Sequence, residues 1–213
     1  MCSDESNLVS GGILSFMKDN FEQNNLKGVE APKLCYTAGG ILIHDKKVLL
    51  IKHKKLGIWL NPGGHIDEGE LPHQAAEREF FEETGVKVRA VDAFSLPGLN
   101  KNFSVNDAQN ISEFFPNPIS TNLHWVNKQS YKLRLKSDNP NRRYSTSVWK
   151  RGCEQHVGFF YVLEAIGSVE FSQNIEETYG IAWFSYDEID DLDTAQAVKE
   201  EIKLAFKLLA LID

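Results

Sequence analysis

The spacing of apolar residues changes several times along the chain, and each spacing predicts a different element. Ala38-Gly39-Gly40-Ile41-Leu42-Ile43 and Val48-Leu49-Leu50-Ile51 are short apolar runs of strand type. The polar tetrad His44-Asp45-Lys46-Lys47 between them completes the pattern of a β-hairpin. Glu70 to Thr84 has a helical composition, with Pro72 in the first turn, where its missing N–H does no harm, and Gly85 where the helix must stop. Val86 to Phe94 predicts a strand, Val157 to Leu163 a buried strand, and Ile181-Ala182-Trp183-Phe184 a short one. From Ala195 to Ile212, Val198, Ile202, Ala205, Phe206 and Leu209 recur at helical spacing, with Asp193 and Gln196 as a capping pair at the start. Hairpins with two helices of this kind predict an α/β fold in which a mixed sheet lies between helices.

Two stretches break the pattern. Residues 1–33 are polar and rich in Asn, Ser and Lys, with one short helical pattern from Ile13 to Phe21, and read as a flexible or loosely docked arm before a domain spanning 34–213. A long polar passage, about 97–150, reads as an insertion into that domain. At 213 residues, 42% hydrophobic and 25% charged, the chain can bury one sizeable core. No run approaches the roughly 20 apolar residues that span a bilayer, and Met1-Cys2-Ser3-Asp4-Glu5 does not resemble a signal peptide. A cytoplasmic protein without a membrane partner is the expectation. Cys2, Cys35 and Cys153 are too few and too scattered for a disulfide framework or a zinc site, so they read as free thiols. The net charge of -7 argues against a polyanion-binding surface over the whole molecule. Its distribution is uneven, however. From Lys128 to Arg151, Lys128, Lys132, Arg134, Lys136, Arg142, Arg143, Lys150 and Arg151 stand against one acid, Asp138. Trp125, Tyr131, Tyr144 and Trp149 are interleaved with these cations, a mixture suited to bases and phosphates. The same residues would also serve as a solvated loop that balances an acidic body.

Candidate chemistry concentrates in Gly64 to Val86, GHIDEGELPHQAAEREFFEETGV. Glu79, Glu82 and Glu83 fall at i, i+3 and i+4, so three carboxylates share about one face of a helix. Like charges so placed destabilise the helix unless something compensates, and a hard divalent cation with oxygen ligands is the natural candidate. Arg78 can neutralise and orient a carboxylate without losing its own proton. Pro62-Gly63-Gly64 and Gly69 permit tight turns that bring backbone groups close to a ligand.

This stretch resembles the Nudix box in full: Gly64, Glu70, Arg78, Glu79, Phe80, Glu82, Glu83, Gly85 and Val86 fill its positions. At residue frequencies of roughly 5 to 10%, seven fixed identities recur by chance on the order of once in 10⁸ starting points, which makes the match specific. Trp59-Leu60-Asn61-Pro62-Gly63-Gly64 is similar to the family's entry strand, and Trp183-Phe184-Ser185-Tyr186-Asp187-Glu188 to its closing strand and turn. One departure is Leu71, where relatives often carry a Ser or Thr helix cap, whose loss costs about 1 kcal/mol.

The resemblance implies a Nudix α/β/α sandwich with a catalytic loop-helix-loop, and Mg²⁺- or Mn²⁺-dependent hydrolysis of a phosphoanhydride. It further implies Gly63 (through its carbonyl), Glu79, Glu82 and Glu83 as metal ligands, and Glu79 or Glu82, assisted by Arg78, as the group that activates water. In some relatives a loop carboxylate six residues before the closing-strand Trp completes the site; Glu177 holds that place, with Glu176 beside it. Candidate substrate contacts are Gly64, Lys54 in the run His53-Lys54-Lys55, Trp59 as a base platform or core residue, and Arg142 and Arg143. His156 suits a structural role better than a catalytic one. The family's ADP-ribose proline and dinucleoside-polyphosphate tyrosine are absent from their places at Lys101 and Asn102 to Ser104. A nucleoside triphosphate or nucleotide sugar is therefore the expected small-molecule substrate. RNA 5′ ends and nucleotide sensing without turnover remain as alternatives, and homodimerisation is left open.

Overall fold

The computed structural model of the protein describes residues 31–93, 115–139, 141–146 and 150–209. The helical pattern at Ile13 to Phe21 and the substrate signposts at 101–104 lie outside them. The described residues form two compact units, 31–33 with Val126–Glu154, and Leu34–Trp125 with the chain from Gln155 onward.

The larger unit is built on a mixed sheet. Strands β1 (Leu34–His44) and β2 (Lys47–His53) make the expected hairpin, its turn carried by Asp45 and Lys46 at positive φ. Strands β3 (Trp59–Leu60) and β4 (Gly63–His65) pair with β2 and β1 respectively. Helix α1 (Pro72–Thr84) follows, then β5 (Val88–Val91) and β6 (Ser120–Trp125). Helix α2 (Lys128–Leu135) belongs to the smaller unit, and β7 (Gln155–Ala165), β8 (Thr178–Ser185), a 3-10 turn (Tyr186–Asp191) and helix α3 (Gln196–Leu208) complete the larger one. β7 runs parallel to β1 along its length and takes β5 and β6 antiparallel, while β8 pairs antiparallel with β2.

Strand alternation sorts the apolar residues to the two faces of this sheet. Leu42, Leu49, Tyr161 and Leu163 pack with Ala75, Ala76 and Phe80 of α1. Their neighbours Ile41, Val48, Leu50 and Val162 pack with Ile202, Ala205 and Phe206 of α3. The result is the expected α/β/α sandwich. Helix α1 ends where Gly85 adopts φ 72° and donates its N–H to the Phe81 carbonyl, the left-handed closure that glycine accepts without steric cost. Glu201 of α3, nearly buried, accepts hydrogen bonds from Ser120 Oγ and Asn122 Nδ2 of β6, both 2.8 Å.

Several expectations are corrected. Ala195, not Asp193, caps α3, and it offers no side-chain bond; Gln196 instead reaches Glu200, and the Asp193 carbonyl accepts the Trp59 N–H. Cys35 and Cys153 are disulfide-bonded rather than free. Spacing along a chain does not determine which thiols a fold oxidises. The polar passage is not featureless: it contains β6 and α2.

In the smaller unit, α2 is capped by Asn127, whose side chain accepts the Ser130 N–H at 2.9 Å. The helix turns Arg134 inward, 1% exposed, onto both carboxylate oxygens of Glu154 at 2.7 Å. The same Glu154 accepts the Lys33 N–H, and Arg134 also donates to the Ala31 carbonyl. No helix among the described residues is long and apolar enough to cross a membrane.

Candidate active site

The turn from β3 through β4 leads the chain into α1 and brings backbone against carboxylates. Gly63 donates its N–H to Glu83 Oε2 at 2.9 Å. A Cβ on Gly64 would lie 2.4 Å from the Glu79 carboxyl and displace it, and one on Gly63 would lie 2.5 Å from the Ala38 carbonyl oxygen, where backbone leaves room for glycine alone. Arg78 is held on several sides. It grips Glu70 with two hydrogen bonds (2.8 and 2.9 Å), donates to Glu79 at 2.8 Å and Glu82 at 3.3 Å, and reaches the His65 carbonyl at 3.0 Å. One guanidinium thus ties the loop before α1 to two of the helix's carboxylates. The Arg78 hydrogen bonds hold Glu70 below the ordinary carboxyl range.

Negative charge remains in excess. Glu83 is 3% exposed, and burial, followed by the charges of Glu79, Glu177 and Glu82, pushes its carboxyl up to about 8 against the opposing Gly63 N–H. Burial likewise raises Glu79, with Arg78 opposing and Glu82 and Glu177 adding to the shift. Glu177 is therefore close enough to act on this cluster although it stands in the loop before β8, about a hundred residues further along the chain. Its neighbour Glu176 donates its backbone N–H to Asn174 Oδ1 at 3.0 Å.

Lys54, at the end of β2, donates its Nζ to the Ile175 carbonyl at 3.0 Å and lies 6.0 Å over the Tyr179 ring. His53 Nδ1 accepts the Lys55 and Leu56 N–H groups, closing its own turn. Trp59 is half-buried, edge-on to Phe184 at 4.8 Å between ring centroids. Arg142 and Arg143 are exposed in the smaller unit, where the Arg142 guanidinium lies 4.8 Å over Tyr144. His156 is buried against His65 and His124, at 4.9 and 5.5 Å. Burial first, then these two imidazoles, push it down to about 3, so it stays neutral and structural at ordinary pH.

Two residues were not singled out by sequence. Asn61 is buried two residues before Gly63 with neither amide atom hydrogen-bonded among the described residues. Asn174 joins the Glu177 loop to the end of α1. No periodicity marks either, because the burial of the one and the bonds of the other depend on strands and loops brought together by the fold.

A mixed sheet between two helices, with a glycine turn feeding a carboxylate-bearing helix, defines the class: a Nudix-type α/β/α sandwich. Residues 33–118 match the family model described as NUDIX domain. A solved NUDIX-family hydrolase from Clostridium perfringens superposes with a TM-score of 0.59 at 26% identity, covering 82% of this chain and 97% of that one. A Bacillus subtilis (strain 168) protein provisionally named an 8-oxo-dGTP diphosphatase is 43% identical over 53 residues, 24% of this chain and 36% of its own length. An RNA pyrophosphohydrolase of Cereibacter sphaeroides is 37% identical over 57 residues, 25% of this chain and 35% of its own. The chain thus matches about a third of the length of these two relatives, 36% and 35%. Residues 33–118 thus carry the family's domain, on a fold shared with a solved NUDIX-family hydrolase.

Proposed function

We propose that this domain hydrolyses a phosphoanhydride bond in a nucleoside diphosphate linked to another group, with Mg²⁺ or Mn²⁺. The observation that carries this reading is the cluster of Glu79, Glu82, Glu83 and Glu177, of which the Arg78 guanidinium bonds Glu79 and Glu82, so that negative charge stays in excess. An all-oxygen donor set with excess negative charge fits a hard divalent cation. Glu79, Glu82, Glu83, Glu177 and the Gly63 carbonyl would hold it. When bound, such a cation neutralises phosphate oxygens and lowers the pKa of a water.

The protein's own part is positioning and proton transfer. Arg78 fixes Glu79 through the 2.8 Å bond and shares Glu82, and either glutamate is within the site to take the water's proton. The water oxygen bonds to one phosphorus as the bridging P–O bond breaks, and that electron pair leaves with the second phosphate. Gly64, Lys54, Trp59, Arg142 and Arg143 are the proposed substrate contacts. For Lys54 and Trp59 those contacts must be made alongside the Ile175 carbonyl and the Phe184 ring that they already engage.

The substrate we favour is a nucleoside triphosphate or nucleotide sugar, and the diphosphatase name of the Bacillus relative supports the first. A second reading, the triphosphorylated 5′ end of RNA, is favoured by the exposed face of α2, where Lys128 and Lys132 stand one turn apart and Lys136 follows the helix end. Screening the protein with Mg²⁺ and Mn²⁺ against nucleoside triphosphates, sugar nucleotides, ADP-ribose, dinucleoside polyphosphates and triphosphorylated RNA tests both. Glu82→Gln and Glu83→Gln keep side-chain shape and remove the charge a hard cation requires, so turnover should fall by about a hundredfold or more. Nucleotide binding with no turnover on any substrate would make this a sensor domain and overturn the proposal.

A further inference from the structure

The carbonyls at the end of a helix lack partners within it and must find them elsewhere. At the end of α1 the loop before β8 supplies three in succession. Asn174 Nδ2 donates to the Glu82 carbonyl at 3.3 Å, Asn174 N to the Glu83 carbonyl at 3.3 Å, and Ser172 N to the Thr84 carbonyl at 2.7 Å. Two of these bonds come from one residue, and the carbonyls they reach belong to two of the site's glutamates.

Asn174 is equally committed on its other side. Its Oδ1 accepts the Glu176 N–H at 3.0 Å. Its carbonyl accepts the N–H groups of Glu177 at 3.2 Å and Thr178 at 2.9 Å, and the Thr178 hydroxyl at 2.8 Å. From the end of β2, Lys54 holds the same few residues: its N–H donates to the Glu177 carbonyl at 2.9 Å and its Nζ to the Ile175 carbonyl at 3.0 Å. Glu177 is thus suspended between α1 and β2 by bonds to its own backbone and its neighbours'. Of the two neighbouring acids Glu176 and Glu177, Glu177 is the one held at both its N–H and its carbonyl, and its charge acts on both Glu79 and Glu83.

We propose that Asn174 and Lys54 are positioning residues that set Glu177 against the carboxylates of α1, so that the site's affinity for a divalent cation depends on both side chains. This rests on the reading of the cluster as a cation site. It gives Lys54 a task distinct from phosphate contact, and it makes Asn174 part of the site without touching substrate.

The test is Mn²⁺ binding to the full chain, followed by the electron paramagnetic resonance of free Mn²⁺, with thermal melting in parallel and no substrate present. Glu177→Gln and Asn174→Ala should each weaken binding about tenfold, the low end of what removing a ligand's supporting partner costs. Lys54→Met, which keeps the backbone bond to Glu177, should weaken it less. The deciding measurement is the double variant: in a Glu177→Gln background, Asn174→Ala should cause almost no further loss, because its effect passes through Glu177. Equal loss in both backgrounds, or wild-type affinity in Asn174→Ala, overturns the proposal. If Asn174→Ala does not fold, Lys54→Met is read against Glu177→Gln in the same way. Glu83→Gln separates the two levels: if it binds Mn²⁺ as the wild type does, the cation site itself is wrong, whatever Asn174 does.

Discussion

Glu83 shows how a single residue links burial to chemistry. Its ordinary pKa is 4.5, yet in the folded chain the carboxyl keeps its proton to about 8 because water is excluded and like charges surround it. Between those values the folded state binds more protons than the unfolded one, so stability falls as pH rises from 4.5 toward about 8 and is fully present below that window. In chelator, the melting temperature should therefore drop from about pH 5 to about pH 8, and Glu83→Gln should flatten the drop. Added Mn²⁺ should oppose it, since a cation favours the ionised carboxylate, and binding near pH 7 should release protons detectable by calorimetry in buffers of different ionisation enthalpy. A melting temperature that climbs steadily over this range would show that Glu83 is ionised in the folded protein without metal. Arg78 is the opposite case: its partners were legible in the box spacing because Glu79 and Glu82 are sequence neighbours on one helix face, and Glu70 lies just before it.

Among the elements, α1 was legible almost to the residue. Proline in its first turn and glycine after its last act locally, so the expected start at Glu70 and stop at Gly85 differ from Pro72–Thr84 by little. Leu71 occupies the cap with extended backbone angles and no side-chain acceptor, while its N–H is taken by Gln74 Oε1 at 3.1 Å. Leu71→Ser should stabilise the protein by about 1 kcal/mol, seen as a rise of roughly 2–4 °C in a thermal melt. A fall would mean that the apolar contacts of Leu71 outweigh the missing cap. Helix α2 was not legible. Its buried positions are Ser130 and Arg134, and Leu133 and Leu135 face outward, so the apolar period that reveals a helix is inverted. Only a buried partner, Glu154, makes Arg134 an inward residue. Strand β6 escaped for a related reason: its Leu123 is exposed, while the half-buried Ser120 and Asn122 bond the buried Glu201 rather than an apolar core.

At the scale of the whole molecule, charge is divided between the two units. The cations from Lys128 to Arg151 lie with α2, and the acids that would bind metal lie on the sandwich. If Arg142 and Arg143 grip phosphates of the substrate, changing both to Ala should raise KM about tenfold or more, tenfold being about the value of one hydrogen bond to a charged group. The effect should shrink at high salt. It should be larger, with a steeper salt dependence, for triphosphorylated RNA than for the matching mononucleotide if the segment follows a polynucleotide. Unchanged KM on every accepted substrate would leave these arginines outside the reaction.

The sequence by itself determined what acts over short range: the hairpin at β1 and β2, the bounds of α1, the apolar period of α3, and the glutamates of the box sharing a helix face. Such features need only backbone preference and the periodicity of neighbouring residues. The tertiary structure alone decided the rest. It brought Glu177 to a cluster some hundred residues before it, buried Glu83 deeply enough to hold its proton, and paired Arg134 with Glu154. Each depends on how far apart groups stand in space, and on whether water reaches them, which no local pattern encodes.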